Sequence, residues 1–453
     1  MSKPSLPQGM RDFSAETVRK RNYIFSKIKT VFENYGFQPL ETPAMENLET
    51  LMGKYGEEGD RLIFKVINNG LNDPKNQDKA KEGFEKLLAG KSSTAITERA
   101  LKYDLTIPFA RYVAMNHGQL TFPYKRYQIQ QVWRADRPQK GRYREFTQCD
   151  ADVVGSKALI NEVELANVYH DVFTGLGLND YCIKINNRKV LASLAMECGN
   201  INLLTSITIA IDKLEKIGIE KVKEELLQRD LNTTQINVVE SYLNIKGSNE
   251  EKLNQIEKLL GSHSELQEGI AELKYILTHT HDVNISIDFT LARGLDYYTG
   301  TIYEVKAPES VQMGSIGGGG RYDNLTGLFG VPNIPGVGIS FGVDRIYDVM
   351  EELQLFPKDL QISTKALFFN MGEKESEYAY KIMQQIRKNG IACELFHEFS
   401  KMDKQFKYAE KKNITYAVII GSKEMEENCC IVKNLNTGVQ ENIPVSILKD
   451  KIN

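Results

Sequence analysis

The sequence predicts an α+β protein of two or three domains, and three observations carry that prediction. Residues 123–155 have the pattern of a β-hairpin, residues 187–282 are rich in Lys and Glu and helical, and residues 364–453 alternate strands with amphipathic helices. A chain of 453 residues is long enough for two or three domains with full-sized cores. Its hydrophobic share of 41% and charged share of 26% are ordinary for a globular protein.

The composition argues against several functional classes. No apolar run approaches the length of a membrane span, and the first residues, MSKPSLPQGMRDF, lack the apolar core of a signal peptide. None of the six cysteines belongs to a C-x-x-C pair, so neither a zinc site nor a disulfide framework is indicated. We therefore expect a cytoplasmic protein without a membrane contact and without a metal held by protein ligands. The net charge of −3 means that any polyanion must be bound by a local patch.

The N-terminal region begins with a predicted helix that Ser14 caps and Gly36 closes. The segment FQPLETPAME follows, and its Pro39 and Pro43 both require extended neighbours. A proline inside a strand fits only an edge or an interface. The segment is therefore either a connection to an edge strand or a subunit contact, and the sequence alone leaves both open.

Residues 68–100 are polar, and we expect a surface insertion between strands with one short helical patch. The next segment, LKYDLTIPFARY, predicts a strand that ends at Asp104 and a helix with Pro108 in its first turn. Asp104 and Thr106 are therefore candidate helix caps and candidate ligand-binding groups, and one role does not exclude the other.

The hairpin at residues 123–155 is the most informative stretch. Between Tyr124 and Arg144, seven basic residues face one acid. The basic residues are Lys125, Arg126, Arg134, Arg137, Lys140, Arg142 and Arg144. A row of alternate residues then shares one face of the second strand, and this row consists of Phe146, Gln148, Asp150 and Asp152. A solvated outer face would explain a polar row, but a basic loop, an aromatic ring and carboxylates together favour a ligand with a flat ring, a polyanion and a cationic group.

After the hairpin, residues 157–177 predict an amphipathic helix and YCIKI predicts a strand. The stretch from about Asn187 to Asp282 then reads as an inserted helical domain with solvated charged faces. Its sequence does not indicate what it contacts.

Strand character returns at NISIDF and again at TGTIYEV. Between them, Arg293 stands beside Gly294 in a turn, where it could reach an anion or be an incidental surface charge. The run GSIGGGGRYDNL follows and lacks the Lys-Ser/Thr ending of a phosphate-binding P-loop. We expect this run to pass into a helix, and we take it as weak evidence for a close backbone approach to a ligand.

The segment GVGISFGVDRIYDVM predicts a strand that runs directly into a helix. Gly338, Ser340 and Gly342 leave one face of this strand without large side chains, while its apolar residues face a core. With Arg345 in the first helical turn, the bare face leaves room for a nucleotide whose phosphates the helix dipole favours. Tight packing against another helix is the alternative. A linker near Pro357 leads to residues 364–453, an α/β module that has the look of a binding domain.

Three separated segments resemble the signature motifs of class II aminoacyl-tRNA synthetases. GFQPLETPAME, with Pro43, is similar to motif 1, VWRADRP…GRYREF to motif 2, and GVGISFGVDR to motif 3. Two further blocks, ARGLDYYTGTIYEV and GGGRYD, are similar to the pair peculiar to the histidyl-tRNA synthetases. The resemblance implies an α+β catalytic domain with a mainly antiparallel sheet, a helical insertion domain, and a C-terminal α/β domain like those that bind anticodons. The implied bounds are 1–186 and 283–358 for the two parts of the catalytic domain, 187–282 for the insertion and 364–453 for the C-terminal domain.

The same resemblance implies roles for particular residues. For ATP, Arg134 would hold the α-phosphate, Phe146 would stack on adenine, and Arg142 and Arg345 would bind the outer phosphates. Arg293 would be the catalytic arginine, together with Arg134, and would bridge the substrate carboxylate and the α-phosphate.

The implied amino-acid site uses a second group of residues. Asp104, Thr106 and Gln148 would bind the α-amino group, while Asp152 and Tyr298 would bracket the imidazole with Tyr297 in the wall. Asp104, Asp152 and Asp344 stand where many bacterial members carry glutamate, so a water could bridge Asp152 to the imidazole.

The implied activity is ATP-dependent attachment of L-histidine to the 3′ end of tRNA(His) through a histidyl-adenylate, with release of AMP and pyrophosphate. ATP would bring Mg²⁺ on its triphosphate, and the enzyme would be a homodimer joined through motif 1. One alternative is a non-catalytic paralogue such as the regulatory subunit of ATP phosphoribosyltransferase, although Arg134, Arg293 and Arg345 are all present with the C-terminal module attached. A synthetase for another amino acid is the second alternative. Either the three arginines converge on one nucleotide or the interpretation fails.

Overall fold

The computed structural model of the protein describes residues 3–261, 263–292, 297–357, 360 and 364–453. The chain divides into two compact units, Met1–Leu355 and Phe356–Asn453. This division lies at the linker predicted near Pro357 and keeps the helical segment with the first unit. The finer domain bounds inferred from the sequence remain predictions.

The strands of the first unit build one large sheet and one small one. They are β1 (Gln38–Pro39), β2 (Met45–Asn47), β3 (Lys65–Val66), β4 (Arg99–Leu101), β5 (Tyr124–Trp133), β6 (Glu145–Val154), β7 (Cys182–Asn187), β8 (Ile285–Ile287), β9 (Thr301–Lys306), β10 (Gly317–Arg321) and β11 (Gly336–Gly342). The large sheet has the order β1-β5-β6-β11-β10-β9-β7-β8, and the small one has the order β2-β4-β3. Neighbours in the large sheet are antiparallel except at its two edges, where β1–β5 and β7–β8 are parallel. The predicted mainly antiparallel sheet is confirmed.

The helices of the first unit fall into those that cover the sheet and those of the helical segment. They are α1 (Ala15–Asn34), α2 (Leu48–Leu51), α3 (Gly56–Arg61), α4 (Gln77–Leu88), α5 (Thr106–Asn116), α6 (Ile160–Gly175), α7 (Arg188–Glu197), α8 (Leu204–Ile211), α9 (Leu214–Gln228), α10 (Thr233–Leu243), α11 (Asn249–Leu260), α12 (Ser264–His279) and α13 (Val343–Glu352). The predicted cap is present, because the Thr17 amide donates to Ser14 Oγ at 3.3 Å. The insertion at 68–100 holds α4, a helix of 12 residues between β3 and β4, which is longer than the short patch expected.

Helices α1, α6 and α13 pack against one face of the large sheet, and this layer is the core of the unit. The ring of Phe341 on β11 lies at its centre, with ring centroids 5.8 Å from Phe32, 4.8 Å from Tyr169 and 5.5 Å from Phe173. The side chains of β6 that face these helices, Cys149 among them, are buried. Because this face of β6 and β11 is buried under the helices, the polar row and the glycines lie on the opposite face, outside this core.

Helices α7–α12 fill the stretch between β7 and β8, in agreement with the predicted helical insertion. Two of them begin with capping boxes, Asn232 with Gln235 and Ser248 with Glu251, which satisfy amide groups that the first turn leaves unpaired. Within the described ranges, no single helix is long and apolar enough to cross a membrane. One pair of helices, broken by a bend of 119° between Glu197 and Ile201, passes that test only when its halves are joined.

The glycine run differs from its prediction, because it forms strand β10 instead of leading straight into a helix. A Cβ on Gly319 would lie 2.2 Å from the carbonyl oxygen of Gly338, and a Cβ on Gly320 would lie 2.6 Å from that of Thr301. The neighbouring strands thus approach more closely than any side chain permits. Their hydrogen bonds hold the run extended although glycine has little strand preference of its own. A 3-10 helix, Leu325–Phe329, follows.

The second unit is the α/β module that the sequence predicts. Its elements are β12 (Ala366–Phe368), α14 (Glu373–Lys388), β13 (Cys393–Leu395), α15 (Met402–Lys411), β14 (Tyr416–Ile419), α16 (Ser422–Glu426), β15 (Cys429–Asn434), β16 (Gln440–Pro444) and α17 (Leu448–Ile452). The sheet order is β13-β12-β14-β15-β16, parallel among the first three strands and antiparallel beyond. Separate apolar clusters on its two sides, one with α14 and one with α15, bury both faces.

Candidate active site

A cavity of about 410 Å³ opens on the face of the large sheet that does not carry α1, α6 and α13. Its wall brings together every predicted site residue that falls within the described part of the chain. These are Asp104, Thr106, Arg134, Arg142, Phe146, Gln148, Asp152, Tyr297, Tyr298 and Arg345. The remaining predicted residue, Arg293, lies outside the described residues.

The floor of the cavity comes from the pairing of β6 with β11. In this register Asp150 lies opposite Ser340, and Asp152 lies opposite Gly338. The face of β11 that is predicted to lack large side chains therefore lies beside the polar row of β6, on the same side of the sheet. A Cβ on Gly338 would come within 1.9 Å of Asp152 Oδ1, so glycine at this position is what leaves space for the carboxylate.

Three buried oxygen atoms in the cavity wall have neither a hydrogen bond nor an ion pair among the described residues. They are Asp104 Oδ2, Gln148 Oε1 and Asp150 Oδ1. The other oxygen of Asp104 accepts from Tyr55 Oη at 3.0 Å and from the Ile107 amide at 3.1 Å, so Asp104 caps α5 and also faces the cavity. Gln148 Nε2 donates to Ser340 Oγ at 3.0 Å, which directs its amide oxygen away from that bond. Unpaired buried acceptors are costly unless a ligand supplies donors.

Burial changes the acid–base behaviour of these carboxyl groups. Loss of hydration raises the pKa of Asp104, while the Ile107 amide and the charge of Arg134 oppose that rise. Burial also raises the pKa of Asp150 to about 7, against the lowering effect of Arg126 and with a further increase from Asp152. A donor or a cation bound in the cavity would favour the ionised form of both groups.

Asp152 differs from its neighbour because both of its oxygens are already engaged. Tyr322 Oη donates to Oδ1 at 2.5 Å, and Nη2 of Arg126 lies 2.8 Å from Oδ2 as an ion pair without good hydrogen-bond alignment. Arg126 is completely buried, and its guanidinium also lies 4.1 Å from the ring centre of Phe109. Burial raises the pKa of Asp152, and the Arg126 charge works against that rise.

Basic side chains gather at the other end of the cavity. Arg134 donates from Nε to the Tyr103 carbonyl at 3.1 Å, and its guanidinium lies 5.2 Å from the ring centre of Phe146. Arg345 donates to the carbonyls of Gly141 at 2.7 Å and Ser315 at 2.6 Å, which fixes its position. Arg142 is 42% exposed and lies 3.6 Å from Asp136. Arg134 and Arg345 thus line one cavity, as the sequence-based hypothesis requires of them.

The N-terminal segment supports the loop that carries these arginines. The Arg144 amide donates to the Gly9 carbonyl at 2.9 Å, and the Arg11 guanidinium lies 3.3 Å from the ring centre of Tyr143. Arg11 also pairs with Asp344, which accepts from Arg21 at 2.6 Å and from the Thr147 amide at 3.2 Å. Asp344 therefore lines the cavity, and its bonds to Arg21 and to the Thr147 amide connect α13 with α1 and β6.

Tyrosines form the wall near the polar row. Hydrogen bonds connect Thr106 to Tyr297 and Tyr297 to Tyr298, and the two tyrosine rings meet edge to face with centroids 5.0 Å apart. Tyr322 completes this group, with its ring centre 6.2 Å from that of Tyr297. The result is an aromatic enclosure with hydroxyl groups at its edge, which suits a small ring with polar atoms.

Sequence patterns assign no site role to four residues of the cavity region: Tyr55, Arg126, Asp150 and Tyr322. Asp150 belongs to the polar row of β6, but its place in the row does not by itself indicate a role. Arg126 could have been found, because it occupies the hairpin position directly opposite Asp152. Tyr55 gives no local signal, since its partner Asp104 is 49 residues away.

Among the residues that the structure describes, no group of three or more His, Cys, Asp or Glu side chains is placed to hold a metal ion. The cationic end formed by Arg134, Arg142 and Arg345 instead suits a polyphosphate.

A mainly antiparallel sheet with a nucleotide-sized cavity on one face, a helical segment between its strands and a separate α/β unit define a class II aminoacyl-tRNA synthetase. Residues 94–346 match the family model of histidyl-tRNA synthetase, and residues 365–453 match that of an anticodon binding domain.

Similarity to known proteins extends along the whole chain. A histidine–tRNA ligase of Flavobacterium johnsoniae is 50% identical, covering 99% of this chain and 98% of its own. The histidine–tRNA ligase of Christiangramia forsetii is 51% identical, covering 97% of both chains. The crystal structure of histidyl-tRNA synthetase from Nostoc sp. PCC 7120 superposes with a TM-score of 0.80 at 31% identity, covering 100% of this chain and 99% of that one. The chain belongs to the histidyl-tRNA synthetase family, and the regulatory-subunit alternative is not favoured.

Proposed function

We propose that this chain is a histidine–tRNA ligase that joins L-histidine to the 3′ end of tRNA(His) in two steps. ATP and histidine first give histidyl-adenylate and pyrophosphate, and the histidyl group then passes to tRNA with release of AMP. Membership of the family along the whole chain supports the reaction. One observation carries the proposal. The same cavity has buried acceptors without partners at one end and arginines held by backbone carbonyls at the other.

The acceptor end is the proposed histidine site. Asp104 Oδ2 and Gln148 Oε1 are buried acceptors that suit the three N–H donors of an α-ammonium group, with Thr106 beside them. Asp152 and Tyr298 lie on either side of the imidazole, and Tyr297 forms the adjoining wall. Burial of these groups supports specificity, because a substrate without matching donors would leave them unpaired.

The basic end is the proposed ATP site. Phe146 stacks on adenine, Arg134 holds the α-phosphate, and Arg142 and Arg345 bind the outer phosphates. Arg345 is supported in this role by its bonds to two carbonyls, which hold the guanidinium at the cavity wall. Arg293, outside the described residues, is proposed from its sequence context alone to bridge the substrate carboxylate and the α-phosphate.

The chemistry suits these residue types. The carboxylate of histidine is already a nucleophile, and its attack on the α-phosphorus with departure of pyrophosphate requires no general base. Catalysis then consists of alignment and of cationic stabilisation of charge on the phosphoryl oxygens, which fixed arginines provide without reorganisation. Mg²⁺ bound to the triphosphate would neutralise part of its charge, and phosphate oxygens would hold it.

We further propose a cytoplasmic homodimer. The motif 1 segment supports this assembly, because Met45 on β2 is 45% exposed and Met115 on α5 is 71% exposed. Arg111 connects these two elements, since it donates to both carboxylate oxygens of Glu46 at 2.8 Å. The tRNA would be bound in part by residues 365–453, which match an anticodon binding domain.

Exchange of pyrophosphate into ATP tests the proposed function. We expect exchange with histidine alone among the twenty amino acids, and charging of tRNA(His) with histidine. Exchange with proline or threonine would overturn the substrate, and absence of exchange with every amino acid would overturn the catalytic function.

A further inference from the structure

The N-terminal segment, residues 7–13, lies against the hairpin loop, residues 134–144, that joins β5 to β6. The Gly9 carbonyl accepts from the Arg144 amide at 2.9 Å. A Cβ on Gly9 would lie 2.8 Å from Cγ of Arg144 and 2.9 Å from Cγ of Pro138. The φ angle of Gly9 is +81°, so the backbone conformation and the close approach both require glycine here. The segment therefore packs tightly on the loop at two places.

Arg11 connects this loop to helix α13. Its guanidinium lies 3.3 Å from the ring centre of Tyr143 and donates to Asp344 in the first turn of α13. The Tyr143 hydroxyl donates to Asp348 Oδ2, one turn further along α13, at 3.1 Å. Burial raises the pKa of Asp348, while the Tyr143 hydroxyl and the charge of Arg11 oppose that rise and so favour the ionised acceptor. The ring of Tyr143 is thus held on its face by a cation and at its hydroxyl by a carboxylate.

The two points at which α13 and Arg11 hold the loop lie on either side of Arg142. On one side, the Gly141 carbonyl accepts from Arg345 Nε at 2.7 Å. On the other side, Arg11 covers the ring of Tyr143. Arg142 itself is 42% exposed, so its side chain depends on the backbone for its position near the cavity.

We propose that Arg11 is a positioning residue for the nucleotide end of the cavity, and that it holds the hairpin loop so that Arg142 and Arg345 reach the outer phosphates of ATP together. This inference rests on the proposed function and extends it to a residue outside the cavity wall. The described residues that line the cavity include Tyr143 and Asp344 but not Arg11, so Arg11 acts through these two side chains.

The other bonds of Asp344 make the effect of Arg11 selective. Asp344 also accepts from Arg21 Nη1 at 2.6 Å and from the Thr147 amide at 3.2 Å, so α13 keeps its place on the sheet without Arg11. Loss of Arg11 therefore loosens the hairpin loop and leaves the start of α13 in position. The acceptors at the other end of the cavity lie on β6 and at the start of α5, outside this loop. We therefore expect an effect on ATP and pyrophosphate but not on histidine.

The first test compares Arg11→Met, Tyr143→Leu, the double variant and the wild type in histidine-dependent ATP–pyrophosphate exchange. We expect Arg11→Met to raise KM for ATP and for pyrophosphate about tenfold each, equivalent to about 1.4 kcal/mol, with KM for histidine unchanged. The double variant raises these values no further than the larger single change, because removing either partner already removes the contact. Lys3→Met removes a positive charge from an exposed position just before the segment, and as the matched control it keeps all three values.

Trypsin cleavage provides a readout of the loop that does not depend on activity. Lys140 is exposed in the hairpin loop, and its bond can be cut only when the surrounding backbone leaves its folded position. We expect Arg11→Met to speed cleavage after Lys140, while Lys3→Met leaves the rate at that site as in the wild type.

The outcomes separate this inference from the proposed function. If the wild type shows no exchange with histidine, the proposed function itself fails. If the wild type exchanges and Arg11→Met keeps the wild-type KM for ATP, or is cut no faster after Lys140, the role of Arg11 is wrong. If Arg11→Met raises KM for ATP and histidine equally, it has disturbed the cavity as a whole, which also overturns a positioning role. Additive effects in the double variant would show that Arg11 does not act through Tyr143.

Discussion

Replacement of Arg126 with methionine tests the buried charge pair behind the proposed histidine site. Methionine has similar length and no charge, so the change leaves the Asp152 carboxylate buried without its cation. Removal of one partner from a buried ion pair costs about 3–5 kcal/mol, and Arg126 is fully buried, so solvent cannot compensate. Contacts of the guanidinium with Phe109 and with Gln128 Oε1 at 3.2 Å are lost as well.

The assay is thermal unfolding followed by circular dichroism at pH 7.5 and pH 5.0. A loss of this size lowers the unfolding temperature at pH 7.5 by about 5–10 °C. Burial already raises the pKa of Asp152 in the presence of Arg126, and removal of the arginine raises it further. Lowering the pH to 5.0 therefore favours the protonated, uncharged carboxyl group more in the variant than in the wild type, so the difference between the two proteins becomes smaller.

The adjacent residue provides the control. Lys125 pairs with Glu164 at 2.8 Å, but its side chain is 24% exposed and that of Glu164 is 38% exposed. A surface pair contributes at most about 1 kcal/mol, so Lys125→Met changes the unfolding temperature little at either pH. An Arg126→Met protein that unfolds within 2 °C of the wild type, or that loses as much at pH 5.0 as at pH 7.5, would refute the reasoning.

Three further predictions concern catalysis and titration. Arg134→Ala lowers turnover in pyrophosphate exchange about 10²–10³-fold, the cost of removing one fixed charge from the phosphoryl site, and near-normal turnover would contradict this role. Arg293→Ala loses far more turnover than histidine affinity, as measured by kcat and KM for histidine; equal losses would remove it from the catalytic step. Burial raises the pKa of Asp150 to about 7, so the wild type loses stability as the pH rises from about 4 through 7 and this carboxyl group must ionise. An asparagine does not ionise, so in urea unfolding Asp150→Asn gains roughly 3 kcal/mol relative to the wild type between pH 4 and pH 8. A difference that does not change with pH would show that Asp150 is not buried as an acid.

The periodicity of the sequence predicts much of the fold and several residues of the cavity. Strand alternation predicts that Gln148 and Asp152 share one face, and Gly338 and Gly342 predict a face of β11 without large side chains. These inferences succeed because one strand or one strand-to-helix junction determines them locally.

Contacts between distant segments could not be predicted in this way. Tyr322 reaches Asp152 across 170 residues of sequence, and Tyr55 reaches Asp104 across 49. The different states of Asp150 and Asp152 depend on whether β11 presents Ser340 or Gly338 opposite them, which requires the register of two strands. The strand formed by the glycine run depends likewise on its neighbours, because glycine itself has no preference for it.

The glycine run of β10 also determines where the cavity can be reshaped. Gly319 and Gly320 are pressed against neighbouring backbone, so a larger residue at either would separate the strands. A Cβ on Gly318, in contrast, meets only the Tyr303 carbonyl within 4 Å, at 3.3 Å. At Gly318 a methyl group would therefore narrow the cavity if the Tyr303 carbonyl moved by a few tenths of an ångström, and this makes Gly318 the position in the strand for engineering amino-acid selectivity.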